Sequence, residues 1–133
     1  MAGLAIAYVV VLVVFAAIDL TWLTLMAGRF YKPILGDIML STVNLKAAAA
    51  FYLLYPLGLV IFAISPALKS GNFLEAGVKG ALLGLFAYGT YDLTNQATLR
   101  NWSTTLTVVD MAWGAIVSGL AAAIAAWLLI KFT

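Results

Sequence analysis

The chain has 133 residues, 65% of them hydrophobic and 9% charged, with a net charge of +2 and a mean hydropathy of +1.11. A soluble domain carries about a quarter charged residues, and the shortage here runs along the whole sequence, which makes this an integral membrane protein. With no cysteine and no histidine, disulfides, thiolate chemistry, histidine-ligated haem or zinc and a histidine base are excluded, and seven dispersed basic residues make no nucleic-acid surface.

A spanning helix needs about 20 apolar residues. Four segments meet that, roughly 4–27, 46–64, 78–98 and 106–130, and the expected fold is a single all-α domain over residues 1–133. The first segment lacks a positive leading region and runs on through Asp19 and Trp22 to Ala27, so it reads as a retained helix and not a cleaved signal. The first connection, Gly28 to Asn44, holds Arg29, Lys32, Pro33 and Asp37; its Ile34, Leu35, Ile38, Met39 and Leu40 are suited to a short interfacial helix. The second, Ser65 to Gly77, opens on Ser-Pro-Ala and reads as a solvated turn. The third, Leu99 to Thr105, is short and carries Arg100, Asn101 and Trp102. Short links imply antiparallel neighbours and a compact four-helix transmembrane bundle.

Connections one and three then share a face of the membrane. That face holds Arg29, Lys32, Lys46 and Arg100, against Lys69, Lys79 and Lys131 on the other, which favours both termini outside.

Depth locates the polar groups. At about 1.5 Å per residue, Asp19 lies about 12 Å and Asp92 about 10 Å inside the ends that meet connections one and three, and Asp110 about 8 Å. Three carboxylates thus fall in one half of the membrane, with Lys46 at the same face. On the third segment Gly77, Gly80, Gly84, Tyr88, Asp92 and Asn95 form one stripe, with Tyr91 at its margin. On the first, Tyr8, Leu12, Phe15, Asp19, Trp22 and Met26 share a face; on the fourth, Thr107, Asp110, Trp113, Gly114 and Val117 do. Intramembrane acids are expensive and are kept where they face protein, water or a ligand. The candidate ligand-binding residues are therefore Asp19, Trp22, Tyr88, Tyr91, Asp92, Thr94, Asn95, Asp110 and Trp113. Each has a plainer reading: a carboxylate holding the bundle in register or paired with Lys46 or Arg100, and Trp22 and Trp102 as interfacial belt residues.

The run Phe86-Ala-Tyr-Gly-Thr-Tyr-Asp-Leu-Thr-Asn-Gln-Ala-Thr-Leu-Arg-Asn-Trp102, followed by Leu106-Thr-Val-Val-Asp-Met-Ala-Trp-Gly114, resembles a bacterial membrane-protein family, domain of unknown function 2177. Asp19-Leu-Thr-Trp22, Phe51-Tyr-Leu-Leu-Tyr-Pro-Leu-Gly58 and Pro66-Ala-Leu68 extend the resemblance over nearly the whole chain. It implies a four-helix bundle in the bacterial cell membrane, with Thr98 added to the residues above, and brings no established activity and no cofactor.

Three functions fit these residues. An aromatic cavity with carboxylates suits an amphipathic ligand such as a lipid, isoprenoid or pigment, with a proton relay as a variant. A small-residue face on the fourth segment (Gly114, Ser118, Ala121, Ala125) suits an accessory subunit docking other membrane subunits of an energy-transducing or pigment–protein complex. Least favoured is a lipid-modifying enzyme whose clustered carboxylates hold Mg²⁺ or supply an acid or base, because no nucleophile–base pair or phosphate loop is present.

Overall fold

The computed structural model describes residues 3–133 as four long helices, with no strand among them. They are α1 (Gly3–Ile38), α2 (Leu45–Ser70), α3 (Phe73–Thr98) and α4 (Thr104–Phe132). Helices α1, α2 and α4 are long and apolar enough to cross a membrane. With 26 residues α3 has the length, but its glycines, tyrosines, threonines and Asp92 leave it less apolar than the expectation of four equivalent spans requires.

Two helices run past the points where their sequences turn polar. In α1 a wide turn over Ala27–Tyr31, closed by the Lys32 N–H on the Ala27 carbonyl five residues back, carries the helix on through Lys32–Leu35 to Ile38. Pro33 falls in the first turn of that continuation, where a missing N–H costs least. The expected separate interfacial helix is therefore the end of α1, and the connection shrinks to Met39–Asn44. In α2 the same device spans Val60–Ile64, with Pro66 just beyond it. The chain turns only at Gly71, whose φ of 73° suits glycine, and Asn72 caps α3 by accepting the Leu74 N–H at 3.0 Å. The expected solvated turn over Ser65 to Gly77 is thus mostly helix.

The tightest packing joins α3 to α4. A Cβ on Gly84 would lie 2.1 Å from the Gly114 carbonyl oxygen, one on Gly80 2.7 Å from that of Ser118, and one on Gly77 3.3 Å from the Ala123 Cβ. As one number rises the other falls, so the pair is antiparallel and its backbones nearly touch, as small residues permit in membrane bundles. Ser118 is buried in this seam and Ala121 and Ala125 in the core cluster shared with α1 and α2, so these small residues of α4 face the interior of the chain.

The bundle has two storeys. Towards the chain termini, Ala7, Val11 and Phe15 of α1 pack with Leu59, Ala63 and Ile64 of α2 and Val117 and Ala121 of α4 in an apolar core. Towards connections one and three the interior becomes polar and aromatic. Outward positions such as Val9, Val13, Leu54, Phe62, Val78 and Ile116 are exposed, as befits a surface facing lipid.

Candidate functional site

Asp19 sits on α1 one turn above Phe15, where the apolar core ends. Its carboxylate joins three helices: Oδ2 accepts from the Tyr52 hydroxyl of α2, and Oδ1 from the Trp113 indole N–H of α4 at 2.9 Å. The Phe15 ring below is packed by Tyr52 and Tyr55 at centroid distances of 6.0 and 5.3 Å. Tyr55 in turn shares a 2.6 Å hydrogen bond with Ser118 of α4. Every Asp19 oxygen is partnered, which is what a buried carboxylate in a register-setting role requires.

One storey higher, Trp22 lies flat against Trp113, with centroids 4.2 Å apart and planes 9° from parallel. The Trp22 indole donates to the Tyr31 hydroxyl at 3.0 Å, and Tyr31 donates to Asp110 Oδ1 at 2.8 Å. Tyr31 reaches this place because of the wide turn. On an unbroken α-helix, at about 100° per residue, a side chain nine positions after Trp22 would point about 180° away from it.

Asp92 differs from the other two acids. It is 0% exposed and receives no hydrogen bond from a donor group, and its polar neighbour is another carboxyl, that of Asp110. It lines a cavity of about 180 Å³ together with Asp19, Asp110, Tyr88, Tyr91 and the Trp22–Trp113 stack, with Leu35, Leu106 and Trp102 completing the lining. Trp102 is held by its indole N–H on Thr107 Oγ1 at 2.9 Å and stands edge-on to Tyr91 at 5.9 Å. Tyr88, Tyr91 and Asp110 also form one wall of a second, apolar hollow of about 380 Å³, completed by Phe51, Tyr55 and Ala87 between α2 and α3. A small polar chamber and a larger apolar groove therefore share a wall.

Seven of the nine candidate residues from the sequence line the chamber: Asp19, Trp22, Tyr88, Tyr91, Asp92, Asp110 and Trp113. Thr94 and Asn95 do not. The Thr94 hydroxyl bonds back to the Thr90 carbonyl of its own helix, Thr98 does the same to Thr94 at 2.8 Å, and Asn95 is half-buried beside them. Trp22 and Trp102, read as belt residues, turn inward. Lys46 and Arg100 are exposed and pair with none of the acids; the one ion pair among the described residues is Lys79–Glu75 at 2.7 Å, at the other end of α3. No group of three aspartate or glutamate residues among those described is placed to hold a metal ion.

Tyr31, Tyr52, Leu35 and Leu106 escaped the sequence reading. The signal for Tyr52 was present, since Tyr52, Tyr55, Leu59 and Ala63 recur at helical spacing on the inward face of α2. Nothing in the sequence around Tyr31 signals a wide turn.

Residues 4–127 match the model of a family described as predicted membrane protein, domain of unknown function 2177. No curated protein and no solved structure matches the chain.

Proposed function

The chain belongs to this family of predicted membrane proteins, and from that premise we propose that it binds one amphiphilic molecule, polar end in the chamber and apolar tail in the groove between α2 and α3. The observation that carries this reading is Asp92, a fully buried carboxyl that no donor group satisfies and whose polar neighbour is the Asp110 carboxyl, facing a cavity that adjoins an apolar groove. A buried polar group left unpaired costs free energy that an occupant with a complementary group recovers. Aromatic walls and few polar groups are the usual lining of a small-molecule site. The chamber lies in the half of the bundle nearer Arg29, Lys32, Lys46 and Arg100, and the excess of basic residues there supports a cytoplasmic side for it, with both termini outside.

Mass spectrometry of protein purified from native membranes tests the reading. A stoichiometric small molecule is expected with the wild type, lost by at least about tenfold in Asp92→Asn, which removes the carboxyl group (about 1.4 kcal/mol per tenfold). Ala87→Trp, which fills the groove from outside the chamber, should lower occupancy too. Empty wild-type protein, or a compound that both variants retain, would overturn it.

A further inference from the structure

The charge of the chamber points to the class of ligand, and this step rests on the binding reading above. Three aspartates line it and no lysine or arginine does. The nearby basic residues Arg29, Lys32, Lys46 and Arg100 are all exposed. Asp19 is satisfied by neutral donors and Asp110 receives one from Tyr31, but Asp92 has none. An anionic head group such as a phosphate or sulfate would meet carboxylates with no compensating cation, the costliest arrangement in a low-dielectric interior.

A cation meets the opposite situation. Tyr88, Tyr91 and Trp102 line the same chamber as Asp92, and aromatic faces attract ammonium groups most strongly where water is excluded. The chamber is small, with room for a head group of on the order of six non-hydrogen atoms if each takes water's share of about 30 Å³. The tail's exit is over Tyr88 and Tyr91 into the groove with Phe51, Tyr55 and Ala87, which shares Tyr88, Tyr91 and Asp110 with the chamber, whereas the hollow beside α1 shares only the stacked Trp22 and Trp113. We infer that the site takes an amphiphile with a small organic ammonium head, bound by Asp92 and Asp110 inside the aromatic walls, its hydrocarbon tail leaving sideways between α2 and α3.

A series with one tail and three heads decides this. Dodecyltrimethylammonium, dodecanol and dodecyl sulfate are titrated, below their aggregation limits, into protein held in phosphatidylcholine nanodiscs, with empty nanodiscs as the blank. Tryptophan emission is the readout, since Trp22, Trp102 and Trp113 line the chamber. The ammonium compound should saturate at least about tenfold more tightly than either of the others, as cation–aromatic contact and charge pairing together supply. Asp92→Asn should abolish that preference. If that variant fails to fold, the head-group order of the wild type decides alone. Equal affinities, or preference for sulfate, would overturn the ammonium assignment while the amphiphile reading stood; no saturable binding of any of the three would overturn both.

Discussion

Three aspartates that look alike in the sequence have different surroundings. Asp19 holds two donors from two other helices, Asp110 holds one, and Asp92 holds none. Substitution should separate them. Asp19→Ala strands the Tyr52 hydroxyl and the Trp113 indole, each costing about 1–3 kcal/mol if left unpaired, with membrane measurements towards the low end. Its melting temperature in detergent should fall well below that of Asp92→Asn, which loses no hydrogen bond. Equal losses would mean that Asp92 is structural after all. The acids were legible because a carboxylate in an oily segment is conspicuous. Tyr52 was not, because a phenol on a span without acids carries no such mark, and Tyr31 was hidden by a turn that changes the angular register of α1. Asn95 was drawn in by its place on the same stripe three residues after Asp92, and Thr94 by the polar run that holds both, although at about 100° per residue it points about 200° round the helix from Asp92.

Among the helices, the seam between α3 and α4 was readable from glycines at helical spacing, and its tightness makes a sharp contrast available. Gly84→Ala forces a methyl group to 2.1 Å from a backbone oxygen that cannot move aside. Gly89→Ala meets only the end of the Met111 side chain at 2.9 Å, which can swing away. Overpacking should cost the first variant about 1–3 kcal/mol or more. The second should stay near wild type, helped by the helix preference of alanine over glycine of about 1 kcal/mol. Thermal melts of the two proteins compare them directly, and equal stability would show that the helices part easily. Helix ends were less readable than faces. Polar residues and prolines mark where the oily composition stops, but α1 and α2 continue beyond it by widening one turn each.

For the molecule as a whole, the two-storey interior followed from depth arithmetic, since acids in three spans lay at similar distances from one face. Orientation rests on basic residues and is open to direct measurement. The chain has no cysteine, so single substitutions give a clean signal. Ser41→Cys, in the connection beside the chamber, should be protected from an impermeant maleimide in intact cells, and Ser70→Cys, at the far end of α2, should react. The reverse pattern would place the chamber outside.

The seam between α3 and α4 also bears on how such a chain is made. By composition α3 alone among the four falls short of a self-sufficient span, and a segment that gains so little from hydrocarbon is poorly retained when released singly. Its glycines and Asp92 are buried, against α4 and within the bundle. The two helices therefore belong in the bilayer as a hairpin, and the translocon has no finished chamber to release until α4 has emerged.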